Sequence, residues 1–227
     1  GTGKELVARA IHRTGRRKNG KFVAVDCGSL SDTLAEAELF GFRKGAFTGA
    51  AENRQGLLEA AHGGILFLDE LSNLPFHTQP KFLRVLQERE VRRLGETFPR
   101  KIDIQVIAAT NKDLLDEMRN EKFRMDLYYR LKEIEIRVPP LRERSGDIPL
   151  LIEWFLSQLA AQEGGRSKRF LPEALELLKG YSYPGNIREL RNIVVSSYYS
   201  TAKTSLGIDD LPLEVRRGKA VPAGPEL

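Results

Sequence analysis

The sequence predicts an α/β domain built on a parallel sheet, followed by a small helical subdomain. Three observations predict it. Ile65-Leu-Phe-Leu68 is a short unbroken apolar run set between Gly63-Gly64 and Asp69-Glu70, the pattern of a strand covered on both faces. A second such run, Ile104–Ala109, follows a helical stretch marked by Phe82, Leu83, Val85 and Leu86. Strands that alternate with helices in this way indicate parallel pairing. After Asp147 the strand pattern stops and helical periodicity takes over.

In chain order, Leu6, Val7, Ala10 and Ile11 predict an amphipathic helix over 4–13, and residues 13–21 a basic turn. Phe22–Asp26 reads as a short buried strand, and Leu30–Leu39 as a helix. Glu133–Val138 alternates as a strand that stops at Pro139-Pro140. Ile148–Gln162 is helical, with Leu150, Leu151, Trp154, Phe155 and Leu159 on a broad apolar face. Pro172–Lys179 and Asn186–Ser200 are two further helices. The expected division is 1–140 for the α/β part, 141–212 for an all-helical subdomain, and 213–227 for a Gly/Pro-rich tail.

The chain has 227 residues, of which 41% are hydrophobic and 30% charged, ordinary values for a protein with a sizeable core. A net charge of +5 fits an anionic ligand such as a nucleotide, or nearby nucleic acid. With one cysteine, Cys27, no internal disulfide can form, and its apolar neighbours Phe22, Val23 and Val25 predict a buried, inert thiol. No apolar run reaches ~18 residues, and no signal peptide opens the chain.

The chemistry gathers at strand and helix ends. Gly1-Thr2-Gly3-Lys4 heads a helix. A Gly-rich turn there points N–H groups at phosphate, with lysine reaching the β/γ-phosphates, although four residues also fit a frayed terminus, and Glu5 stands where the general pattern wants Ser or Thr. Asp69 and Glu70 end the apolar run, at the sheet edge where open α/β sheets bind ligands. There Asp69 would hold Mg²⁺, and Glu70 would orient and deprotonate water; solvated acids at a strand end are the plain alternative. Thr110-Asn111 ends the next strand, where Asn111 could sense a γ-phosphate or simply form a turn. Arg124 and Arg130 lie in Phe-Arg-Met-Asp-Leu-Tyr-Tyr-Arg-Leu and could stabilise a transferring phosphoryl group, or pair on a surface helix. Asn186 is a candidate N-cap, with Glu189 completing a capping box. Arg188 then falls in the first turn of that helix, against its dipole.

The hexapeptide Gly45-Ala46-Phe47-Thr48-Gly49-Ala50 reads as a glycine-flanked loop with a phenylalanine near its tip. With the motifs above, it makes residues 1–212 resemble the AAA+ ATPase module of bacterial enhancer-binding proteins, the activators of sigma-54 RNA polymerase. The resemblance implies an AAA+ P-loop fold with a helical lid, and it implies ATP and Mg²⁺ as cofactors in a cytoplasmic protein. Gly1–Glu5 is similar to the end of the family's Walker A motif, where glutamate after lysine is usual. Gly63–Glu70 resembles its Walker B motif, Thr110-Asn111 its sensor I, and Phe123–Leu131 its arginine-finger segment, acting on a neighbouring subunit's ATP. Pro184–Leu190 resembles sensor II, with Arg188 on the γ-phosphate. The hexapeptide implies a loop whose Phe47 and Thr48 contact sigma-54 and promoter DNA, supported by a second loop within Glu88–Thr97. The implied assembly is a homo-oligomeric ring, a hexamer, that works on sigma-54 RNA polymerase holoenzyme with no membrane involved.

The departures carry expectations of their own. The family usually has Asn where Asp26 stands, and that Asn pairs with the catalytic glutamate. Asp26 and Glu70 would instead be two carboxylates close together, with Mg²⁺ or a proton between them, giving an altered switch. Phe42 and Tyr183 replace a common His and Trp. The family's central strand before the P-loop, its regulatory domain and its DNA-binding helix-turn-helix have no counterpart in the sequence, which therefore reads as a fragment. Two rival readings stay open. One is a non-hydrolysing, nucleotide-gated transcription module. The other is an AAA+ machine acting on a different protein, against which the hexapeptide argues.

Overall fold

A computed structural model describes residues 1–32, 34–165 and 167–218. They form two compact units, one spanning Lys4–Ile136 and the other combining Gly1–Gly3 with the chain from Arg137 onward; each has its own apolar core.

The larger unit runs α1 (Lys4–Thr14), β1 (Phe22–Asp26), α2 (Ala35–Phe40), β2 (Gly41–Phe42), β3 (Arg54–Gln55), α3 (Leu57–Ala60), β4 (Ile65–Asp69), α4 (Gln79–Glu88), β5 (Glu90–Val91), β6 (Arg100–Lys101), β7 (Gln105–Ala108), α5 (Leu114–Arg119) and α6 (Met125–Leu131). Its sheet is parallel, in the order β1-β4-β7. β4 is central and buried along Ile65–Leu68. Leu66 and Leu68 face a core shared with Val25, Leu58, Phe82 and Leu127. Gly64 admits this pairing, because a Cβ there would lie 2.0 Å from the Lys21 carbonyl oxygen.

Three expectations need correction. The strands around Phe22–Asp26 and Ile104–Ala109 exist, but most of their residues are not buried, because each lies at one side of β4 and, among the described strands of this sheet, only β4 has a neighbour on both edges. Glu133–Val138 forms no ladder: no described strand lies beside it, and Ile134 is 84% exposed. The helix expected over Leu30–Leu39 begins only at Ala35. Before it, the Ser31 carbonyl accepts from both Leu34 N at 3.0 Å and Ala35 N at 2.9 Å, so the chain makes a turn there ahead of the helix.

The second unit holds α7 (Asp147–Gln162), β8 (Arg169–Phe170), α8 (Pro172–Gly180), α9 (Asn186–Ser200), β9 (Ser205–Leu206) and α10 (Leu213–Arg216). It is mainly helical, as expected, but β8 and β9 form a short parallel pair. The buried face of α7 is Ile148, Ile152, Phe155, Leu156 and Leu159, at helical spacing. Leu150 and Trp154, expected on that face, are 68% and 56% exposed, since this helix carries more apolar residues than one stripe can bury. The expected tail opens with α10, whose Val215 is buried in the lid core; residues 219–227 lie outside the described residues. Lys168 is buried, with its Nζ donating to the carbonyls of Tyr198 and Thr201. That satisfies acceptors left over at the C-terminus of α9.

Candidate nucleotide and partner site

The candidate chemistry of the larger unit lies at the C-terminal edge of its sheet. Parallel register puts Asp26 opposite Asp69. Asp69 Oδ1 accepts from Glu70 N at 3.0 Å. Glu70 leaves the strand in a left-handed conformation, φ 51° and ψ 43°, which is strained for a residue with a side chain. The turn is held because Leu71 N donates to Ala109 O at 2.9 Å and Asn73 N to Glu70 O at 2.8 Å. The Glu70 carboxylate accepts from Asn73 Nδ2 at 3.0 Å, while Asn73 Oδ1 accepts from Lys112 Nζ at 3.0 Å.

Cys27 lies beneath this edge, 1% exposed. Burial, with Asp26, Asp69 and Glu70 nearby, pushes its thiol up to about 12, so it is protonated and unreactive at neutral pH. The unfolded thiol ionises near its ordinary value of 9.0. Its contribution to stability is therefore complete below pH ~9 and lost as pH rises toward ~12. Iodoacetamide at pH 8 should leave Cys27 unmodified in the native protein and label it in urea; native labelling at the unfolded rate would contradict the burial.

Lys4 opens α1 and its Nζ donates to the Thr110 carbonyl at 2.9 Å. The lysine thus reaches the end of β7, beside β4. Thr110 Oγ1 donates to Ser72 Oγ at 3.2 Å and accepts from Lys112 N at 3.1 Å; Asn111 is exposed. Glu5 pairs with Arg9 one helical turn on, at 2.7 Å. Arg124 makes two bonds to Asp126, at 3.0 and 2.7 Å, and holds that carboxyl below its usual range. Arg130 donates from Nη2 to Leu86 O at 2.9 Å.

The smaller unit places Gly1, Thr2 and Gly3. Ile187 N donates to Gly1 O at 3.0 Å and Arg144 Nη2 to Thr2 O at 2.5 Å. Gly3 has φ 94°, which glycine alone adopts at little cost. Arg188 is exposed in the first turn of α9, and its Cβ lies 3.5 Å from where a Cβ on Gly1 would stand. Asn186 is not the N-cap: Gly185 is, without a side-chain cap bond. Asn186 is left-handed, at φ 55°, and its Oδ1 accepts from Leu141 N at 2.8 Å. Glu189 still reaches back, accepting from Gly185 N at 2.7 Å. Sequence reasoning missed Arg144, Asn73 and Lys112. No local pattern announces them, since Arg144 and Lys112 find their partners across the chain and Asn73 sits in a short 3-10 turn.

The hexapeptide closes on itself between β2 and β3. Gly45 N donates to Ala50 O at 2.9 Å and Ala50 N to Phe47 O at 3.0 Å. Gly45 and Gly49 have φ 82° and 105°. Phe47 stays 39% exposed, its ring edge-on to Phe42 at 5.0 Å. Arg43 N and Leu94 O lie at 3.0 Å, and a Cβ on Gly95 would meet the Ala46 methyl at 2.9 Å, so the segment after β5 braces the loop. Phe47 and Thr48 border a groove of ≈ 760 Å³ with Leu34, His77 and Leu94.

The described residues contain no cluster of three or more His, Cys, Asp or Glu able to hold a metal. Magnesium ordinarily takes one or two carboxylates and completes its shell with phosphate and water, so Asp69, half-buried at a strand end, fits it.

Residues 1–137 match the family model described as the Sigma-54 interaction domain, and residues 142–225 that of the AAA+ ATPase lid domain. The response regulator protein PilR of Pseudomonas aeruginosa is 51% identical over 87% of this chain and 44% of its own length. NtrC of Rhizobium meliloti, a DNA-binding transcriptional regulator, is 51% identical over 86% and 40%. The crystal structure of NtrX from Brucella abortus in complex with ADP superposes over 100% of this chain and 50% of that one, with a TM-score of 0.86 at 38% identity. The fold is thus that of an AAA+ P-loop module with its lid domain. The chain belongs to the sigma-54 interaction domain family. It spans less than half the length of the curated relatives named above. Among the described residues, no helix is long and apolar enough to cross a membrane.

Proposed function

We propose that this chain is the ATP-hydrolysing module of a cytoplasmic sigma-54-dependent transcriptional activator, working as a homo-oligomeric ring, a hexamer. The observation that carries the reading is the convergence of Lys4 on Thr110, beside Asp69 and Glu70, at one sheet edge. Glu70 orients a water and takes its proton as the water oxygen bonds to the γ-phosphorus and ADP leaves. Lys4, with the first N–H groups of α1, balances phosphate charge, with Gly1, Thr2, Gly3 and Glu5 completing the Walker A end. Mg²⁺ held through Asp69 would neutralise charge between phosphates. Asn111 and Arg188 read the γ-phosphate, and Arg124 and Arg130 act on a neighbouring subunit's nucleotide.

Output leaves through Gly45–Ala50. An exposed Phe47 flanked by left-handed glycines can be raised or lowered with nucleotide state against sigma-54 holoenzyme and nearby promoter DNA. Phe47→Ala should weaken ATP-dependent binding to sigma-54 holoenzyme by about tenfold or more, as for a buried aromatic anchor; unchanged binding would contradict the output role. The non-hydrolysing alternative rests on Asp26, which lies beside the Glu70 carboxylate and can only accept hydrogen bonds when ionised.

A further inference from the structure

We infer that Asn73, held by Lys112, is the residue that positions Glu70, in place of any group at position 26. The inference rests on the reading of Glu70 as the base. Three side chains border one small space above Gly28. A Cβ on that glycine would lie 2.6 Å from Glu70 Oε2, 3.2 Å from Asp26 Oδ1 and 3.3 Å from Asn73 Nδ2. Of the two neighbours, only Asn73 can donate, because an ionised aspartate is acceptor-only. Asp26 Oδ1 is already taken by Gly28 N. Asn73 Nδ2 donates to Glu70 Oε2 at 3.0 Å.

The amide orientation follows from its other partner. An ammonium only donates, so Lys112 Nζ, at 3.0 Å, fixes Oδ1 toward itself and the NH₂ toward Glu70. Lys112 directly follows Asn111, and its backbone N–H bonds Thr110 Oγ1. Glu70, Asn73, Lys112 and the end of β7 therefore form one hydrogen-bonded chain. A shift of Asn111 on meeting phosphate would pull on Lys112, and through Asn73 would re-aim the base. Asn73 is a positioning residue, working through Glu70.

The test uses the full-length protein in its assembled state. Asn73→Ala should lower kcat for ATP about 10–100-fold, the range for loss of a group that orients a reacting one, while KM and equilibrium ATP binding change less than about twofold. Adding Asp26→Asn to Asn73→Ala should restore most of kcat, because an amide then borders the same space above Gly28. Without nucleotide, the Asn73 side-chain amide resonance should shift in Lys112→Met. A wild-type kcat in Asn73→Ala, a loss that Asp26→Asn leaves uncorrected, or an Asn73 resonance indifferent to Lys112 would overturn the inference. Glu70→Gln serves as the control. If it keeps wild-type turnover, the assignment of the base fails; if it is inactive while Asn73→Ala is normal, only the positioning role fails.

Discussion

Arg130→Ala should lower ATP turnover of the assembled protein by about 10³-fold, the lower end of the range for arginine fingers. Arg130 sits in the last turn of α6, which is anchored by the fully buried Leu127. Its side chain makes one hydrogen bond among the described residues, Nη2 to Leu86 O. That leaves most of its planar fork of donors available to an anion. Arg124 differs, being closed on Asp126 by two bonds. An exposed pair of that kind is worth only ~0–1 kcal/mol, so opening it costs little. Arg130→Lys should recover only part of the loss, since lysine keeps the charge without the fork. Action in trans has its own signature. Mixing Arg130→Ala with Glu70→Gln subunits should regain activity, because some interfaces then join an intact Glu70 to an intact Arg130. Normal turnover in Arg130→Ala, or no recovery on mixing, would refute the assignment.

Phe67→Ala should destabilise the larger unit by about 3–5 kcal/mol. Phe67 is 1% exposed on the central strand and stacks on Phe22 with ring centroids 5.9 Å apart. Phe22 in turn carries the Arg9 guanidinium 4.7 Å from its ring centre, so this side of the sheet is closed by α1. Removing the ring leaves a cavity under the helix that Lys4 opens. Against a typical stability of ~5–15 kcal/mol, the loss raises the unfolded fraction by a factor of about 10² or more. Urea unfolding should show a lower midpoint at unchanged slope. A shift below about 1 kcal/mol would mean that the site collapses without a void.

Continuous patterns were legible in the sequence. The run Ile65–Leu68 marks a buried strand, because two covered faces demand unbroken apolar residues; its central place comes from the pairing. The glycines of Gly45–Ala50 marked a loop, since positive φ at Gly45 and Gly49 is a backbone property glycine reveals. The buried state of Cys27 followed from its apolar neighbours. What stayed hidden depends on partners distant in sequence. Glu133–Val138 alternates like a strand, yet a strand exists only by pairing, and no described strand lies beside it. Asn186 looked like a cap, but Leu141 N, 45 residues away, claims its side chain. Trp154 belongs by composition to the apolar face of α7, yet it is 56% exposed, because composition names the apolar residues without saying which stripe packs. At the sheet edge, the two carboxylates were legible, but the donor that aims one of them was not.

The most direct test of the central claim is ATP turnover per subunit against protein concentration, in the full-length protein and in Glu70→Gln. A ring that completes its site between subunits should show specific activity rising with concentration to a plateau, and the Glu70→Gln protein should lose about 10²–10⁴-fold, the contribution of a general base. Turnover that stays flat with concentration and equal in the two proteins, with ATP still bound, would contradict the account and leave a nucleotide-gated binding module in its place.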